Sequence, residues 1–231
     1  VVPKVIRVAA ASDLQTVLPR LAERFREQTG VEVVCAFGAS GRLAEQIKAG
    51  APFDLFMSAN ERFVRELADQ GLIVKESMRP YARGTLVLAV FRNFAGGVRG
   101  IGDLTEPTFK KIAIANPTTA PYGLAARQAL EKSGLWRSLE PRIVIADSVA
   151  QALLYAQKGD AEAALVGRSI ARVPEVAVVE IDKSLYDPIV QTFGMVTETK
   201  MRPEAERFAS FILGNDGQSI LREAGFAGPA G

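Results

Sequence analysis

Four short stretches of this chain place small, uncharged polar residues where a strand hands over to a helix. Val5-Ile6-Arg7-Val8 runs through three alanines into Ser12-Asp13-Leu14, and Leu14, Val17, Leu18, Leu21, Ala22 and Phe25 then recur at helical spacing, which predicts a helix to about Gln28. Val31–Phe37 reads as a strand, and Gly38-Ala39-Ser40-Gly41 leads into a helix predicted over Arg42–Ala49. Lys111–Ala115 is followed by Asn116-Pro117-Thr118-Thr119-Ala120-Pro121-Tyr122-Gly123 and a helix from Leu124. Arg142–Ala146 is followed by Asp147-Ser148-Val149 and a helix over Ala150–Lys158. The first N–H groups of a helix have no internal acceptor, and the helix dipole adds partial positive charge there. The chemistry on offer is therefore anion binding at the carboxyl ends of strands, as α/β proteins perform it. One such turn alone is what an ordinary N-cap looks like. Two in each half of one chain argue for a site.

Composition closes off most catalysis. The sequence has no histidine and one cysteine, Cys35, so the commonest general base, the usual zinc or copper ligand sets and a Ser-His-Asp hydrolase are all excluded. No paired-carboxylate motif and no Gly-x-x-x-x-Gly-Lys-Ser/Thr loop is present. A formal charge of +2 with no basic stripe gives no reason to expect nucleic acid. No apolar run is long enough to span a bilayer, and Val1-Val2-Pro3-Lys4 carries no signal-peptide core, which fits a cytoplasmic protein or a mature chain after cleavage. Cys35 falls inside a predicted strand, where a buried, inert thiol is expected.

The elements that must position these turns form two α/β halves. Further strands are predicted at Phe53–Met57, Ala82–Phe91, Ala161–Val166, Val176–Ile181 and Ile189–Thr197. Helices are predicted at Glu61–Gln70, Pro203–Leu213 and Gln218–Glu223. If the C-terminal helices pack back on the first half, Ala82–Phe91 and Ile189–Thr197 become crossover strands. The expected division is then 1–81 with 198–231 in one lobe and 82–197 in the other. Two connecting strands make a hinge, and closure over a small anion is the mechanism this layout suggests.

Ala10-Ala11-Ser12-Asp13-Leu14, Gly38-Ala39-Ser40-Gly41-Arg42-Leu43-Ala44-Glu45-Gln46-Ile47 and, above all, Gly50-Ala51-Pro52-Phe53-Asp54-Leu55-Phe56-Met57-Ser58-Ala59 resemble the periplasmic molybdate-binding proteins of ABC importers. Ala115-Asn116-Pro117, Pro121-Tyr122-Gly123 and the terminal Arg222-Glu223-Ala224-Gly225-Phe226 fit the same pattern. The resemblance spans essentially the whole chain. It implies a two-lobe type II periplasmic binding protein fold, mixed sheets flanked by helices with a two-strand hinge, holding molybdate or tungstate between the lobes. Carried over by motif, the ligand hydroxyls are Ser12 and Ser40, touching the oxyanion's oxygens and not the metal itself. The backbone donors are Asp13, Ser40, Ala59, Tyr122 and Val149. Some members place a tyrosine near Gly167, where this chain departs; Tyr122 stands where other members carry one. The resemblance also implies no cofactor, no catalysis, a membrane permease as partner, a monomeric state, and a periplasmic or lipid-anchored location outside the cytoplasm.

A tetrahedral dianion has acceptors only, so uncharged N–H and O–H donors suit it. Each such bond is worth about 1.5–3 kcal/mol, and around six would support binding near −12 kcal/mol after desolvation and closure. A rigid ring sized for molybdate leaves sulfate or phosphate with stretched bonds. Asp13 is expected to cap its helix or turn away, because a second anion would repel the ligand. Arg7, Arg42 and Arg168 read as solvated surface cations. Another oxyanion on the same fold, or a ligand-sensing domain of a regulator, are the alternatives.

Overall fold

The computed structural model describes residues 3–230. The chain divides into two compact units, Val1–Arg83 with Val190–Gly231, and Gly84–Ile189. Each is an α/β unit built on a five-stranded sheet.

The chain enters the first unit through β1 (Val5–Ala11), a 3-10 turn at Ser12–Leu14, α1 (Leu18–Thr29), β2 (Glu32–Gly38), α2 (Ser40–Lys48), β3 (Leu55–Ser58), α3 (Glu61–Asp69) and β4 (Arg79–Gly84). In the second unit it forms β5 (Leu86–Phe91), β6 (Ile112–Ala115), α4 (Pro121–Lys132), the short α5 (Trp136–Leu139), β7 (Ile143–Ala146), α6 (Val149–Lys158), β8 (Ala163–Gly167) and β9 (Val176–Glu180). It returns through β10 (Ile189–Met195) and ends in α7 (Arg202–Leu213) and α8 (Asn215–Glu223).

The first sheet has the order β2-β1-β3-β10-β4, with β1 parallel to β2 and β3, and β10 antiparallel to β3. One face carries α1, α7 and α8 over a core of Ile6, Val8, Leu18, Leu21, Phe25, Phe193 and Phe208; the other buries Ala9, Leu43, Ile47, Phe56, Val64 and Leu67 under α2 and α3. Alternation along the strands produces this division, because successive side chains leave opposite faces of a sheet. The second sheet has the order β7-β6-β8-β5-β9: β6 is parallel to β7 and β8, and β5 is antiparallel to β8 and β9. Its central strands read as unbroken apolar runs, as strands buried on both faces do.

Five expectations change. The helix predicted from Leu14 is two pieces: Ser12 and Asp13 belong to the 3-10 turn, and α1 begins only at Leu18, with Pro19 in its first turn. The fixed φ and missing N–H of proline suit a new helix start and not the interior of a longer one. The second helix begins at Ser40 rather than Arg42 and the fourth at Pro121 rather than Leu124, so Ser40 and Tyr122 lie inside first turns. Ala82–Phe91 is not one strand: β4 ends at Gly84 and β5 starts at Leu86, in different sheets. Residues 82–83 and 190–197 belong with the first unit and not the second; β4 lies in the first sheet, and β10 pairs with β3 from Thr192↔Ser58 to Met195↔Leu55.

Candidate functional site

In the first unit three parallel strands end side by side. β1 stops at Ala11, whose register partner on β2 is Gly38, and Met57 near the end of β3 lies opposite Ala10. The residues that follow these ends are Ser12, Ser40 and Ala59, all buried. Parallel pairing therefore brings three segments far apart in sequence to one edge. Ser40 occupies the first position of α2, and its Oγ accepts the Ala59 N–H at 3.0 Å. That bond ties the turn after β3 to the start of α2 and leaves the Ser40 hydroxyl a proton to donate.

Asp13 is fully buried, and its carboxylate is directed inward. Oδ2 accepts from Nε2 of Gln191 on β10, and Oε1 of Gln191 accepts the Tyr81 hydroxyl of β4 at 3.0 Å. The order is chemically forced. A carboxylate only accepts, so the amide nitrogen faces Asp13, the amide oxygen faces Tyr81, and the phenol must donate. Burial, with the Asp13 carboxylate nearby, holds the Tyr81 pKa well above its ordinary value, so the phenol keeps its proton. Asp13 does not cap α1, which has no side-chain cap bond.

The second unit repeats the device with its own three parallel strands, β7, β6 and β8. Ala115 at the end of β6 lies opposite Ala146 at the end of β7, and the Asn116 N–H donates to the Ala146 carbonyl at 2.8 Å. Tyr122 is in the first turn of α4, and Val149 is the first residue of α6. Helix starts at these positions present N–H groups without intrahelical acceptors. The α6 start is fixed by Ser148, whose side chain accepts the Gln151 N–H at 3.2 Å, and by the Asp147 N–H donating to Gln151 Oε1 at 2.6 Å. The α4 start is fixed by closeness. A Cβ built on Gly123 would lie 2.1 Å from the Ala115 carbonyl oxygen, so only glycine lets the helix sit on the end of β6. Tyr122 is buried with its ring against Gly167 at the end of β8.

Ser12, Asp13, Ser40 and Ala59 thus share one strand edge in the first unit, and Tyr122 and Val149 share one in the second. Arg7 lies in mid-strand on β1, and Arg168 is paired with Glu180. Among the described residues no group of three or more Cys, Asp or Glu side chains is arranged to hold a metal ion. Sequence reasoning missed Gln191 and Tyr81. It also missed Thr119, whose Oγ1 is buried without a hydrogen-bond partner in the turn before α4. A signal for Gln191 existed: within Ile189–Met195 it shares the core-facing parity of Phe193 and Met195, where a polar residue needs a partner.

Comparison with known proteins adds an independent line. The family model for bacterial extracellular solute-binding proteins matches residues 6–227. The molybdate-binding protein ModA of Azotobacter vinelandii is 32% identical over 226 residues, covering 96% of this chain and 89% of the relative. ModA of Rhodobacter capsulatus is 31% identical over 219 residues, covering 94% and 86%. The solved structure of the Azotobacter vinelandii periplasmic molybdate-binding protein superposes with a TM-score of 0.90 at 34% identity, covering 96% of this chain and 98% of that one.

Proposed function

Because the chain belongs to the family of bacterial extracellular solute-binding proteins, we propose that it captures molybdate or tungstate outside the cytoplasm and delivers it to the membrane permease of an ABC importer. The observation that carries this reading is the donor chemistry at the strand ends. Ser12, Ser40, Tyr122 and Val149 offer uncharged hydroxyl and N–H groups at the starts of a 3-10 turn and of α2, α4 and α6. Such groups meet the acceptor-only oxygens of a fully ionised tetrahedral dianion without a counter-cation to desolvate. Relatives named for molybdate binding, at 32% and 31% identity over nearly the full chain, support the same ligand.

In this reading Ser12 and Ser40 donate their hydroxyls. Asp13, Ser40, Ala59, Tyr122 and Val149 contribute main-chain N–H groups, Ala59 by exchanging its bond to Ser40 for one to the ligand. The protein binds without catalysis, works as a monomer, needs no cofactor, and is periplasmic or held at the membrane surface by a lipid. No helix among the described residues is long and apolar enough to cross a membrane. Isothermal titration with molybdate, tungstate, sulfate and phosphate tests the assignment. Tight binding of the first two with weak or no binding of the others is expected; equal affinity for sulfate, or no binding of molybdate, overturns it.

A further inference from the structure

We propose that Gln191 and Tyr81 are positioning residues for the oxyanion: through Asp13 they fix the Ser12 turn, and so set both affinity and discrimination by ion size. The proposal rests on the molybdate reading above and adds two residues that make no ligand contact of their own. Tyr81 lies on β4 and Gln191 on β10, neighbours in the first sheet, and these are the strands at whose ends the chain passes between its two units. Their side chains join in a buried line, Tyr81 hydroxyl to Gln191 amide to Asp13 carboxylate. All three residues are fully buried.

A carboxylate in that position is costly unless hydrogen-bonded. A buried leucine or methionine at 13 would carry no such cost. What the polar line supplies instead is direction. Packing alone lets a side chain slide, whereas a carboxylate held by an amide that is itself held by a phenol has one orientation. Asp13 is the middle residue of the three-residue turn that starts at Ser12. Pinning its side chain to β10 therefore pins the backbone that aims the Ser12 hydroxyl and the Asp13 N–H. The phenol ring is braced in turn, stacked on Phe193 at 5.9 Å between centroids and 14° between planes. Donors fixed in this way cannot contract around a smaller ion, and that is how a neutral site rejects sulfate.

The test uses the full chain with two variants, Gln191→Met and Tyr81→Phe. Each is titrated with molybdate and with sulfate and followed by hydrogen exchange at the amides of residues 12–15 without ligand. Outer groups that orient ligand-bearing residues typically change affinity by about ten- to a hundred-fold. Gln191→Met is expected to weaken molybdate by about ten-fold, to narrow the molybdate-to-sulfate ratio, and to speed exchange at residues 12–15. Tyr81→Phe should move all three the same way by less, and the double variant should match Gln191→Met alone, because the residues act in series. If Gln191→Met does not fold, Tyr81→Phe decides. A lower melting temperature with unchanged affinity, ion ratio and exchange overturns the proposal. If the unsubstituted chain binds no molybdate, the function assigned above fails, and exchange at residues 12–15 in the variants alone then decides whether the line holds the turn.

Discussion

A Cβ added to Gly167 would lie 3.0 Å from Cε1 and Cζ of Tyr122 and 3.2 Å from its hydroxyl oxygen. The end of β8 is covered by the ring of a tyrosine from α4. Gly167 has an ordinary backbone conformation, so alanine there carries no dihedral strain and would by itself gain a little from reduced unfolded-state entropy. Contact with a buried ring decides the sign. Gly167→Ala is expected to destabilise the protein by about 1–2 kcal/mol, within the usual range for overpacking. In a Tyr122→Ala background the same change should cost much less. Denaturant unfolding of the two single variants and the double variant gives the coupling, and strict additivity would mean the ring yields freely.

Ser12→Ala and Ser40→Ala separate binding from stability. Both are expected to weaken molybdate by about ten-fold or more, the loss of one hydrogen bond to a charged ligand. Ser40→Ala should also cost stability without ligand. Removing the Ser40 hydroxyl leaves the buried Ala59 N–H without its 3.0 Å acceptor, at about 1–3 kcal/mol. Thermal melts of the ligand-free variants, run beside calorimetric titrations, check this. A Ser40→Ala protein as stable as its parent would show that Ala59 finds another acceptor.

How much of this was readable beforehand follows from the physics of each element. The strand-turn-helix order, the helix faces and the Ser12, Ser40, Tyr122 and Val149 turns were legible because apolar periodicity and small polar punctuation are local signals. The break between β4 and β5 at Thr85 was marked only by Gly84, a weak local signal, and the division arises because the two halves of Ala82–Phe91 hydrogen-bond into different sheets. The split of the first helix was half-legible, since Pro19 marks a first turn. Gln191 meets Asp13 across 178 positions of chain and Tyr81 meets Gln191 across 110, and no local pattern encodes either meeting, although the inward parity of Gln191 marks it as a residue in need of a partner.

Gly123 makes a sharper prediction than Gly167, because its obstacle is main chain. The hypothetical Cβ falls 2.1 Å from the Ala115 oxygen and 2.6 Å from its carbonyl carbon, and a backbone at the end of a buried strand cannot rotate away as a side chain can. Gly123→Ala should therefore cost about 3 kcal/mol or more, the upper end of overpacking effects. It should also displace the α4 start that presents the Tyr122 N–H. Loss of molybdate affinity at a temperature where circular dichroism still reports a folded chain is the expected signature. Unchanged affinity and stability would mean that α4 does not need this closeness.

Cys35 on β2 gives a prediction in pH. Cys35 is only partly buried, not fully as the sequence suggested, and this partial burial pushes its thiol up to about 11 from an ordinary value of 9.0. The thiolate is the reactive form, so at pH 8 the folded chain should react with iodoacetamide about a hundred-fold more slowly than the unfolded chain, from ionisation alone. The sign for stability follows from which state holds the proton more tightly. Below about pH 9 both states keep it and the thiol has no effect. Between about 9 and 11 the unfolded chain gives up the proton first, so folding stability falls as pH rises. Tyr81 and Tyr186, both raised by burial, act in the same direction at higher pH. Cys35→Ala should therefore flatten the early part of the alkaline decline, measured as melting temperature from pH 8 to 10.5, and leave the tyrosine part in place. An identical decline in the variant would mean that the thiol titrates alike in both states.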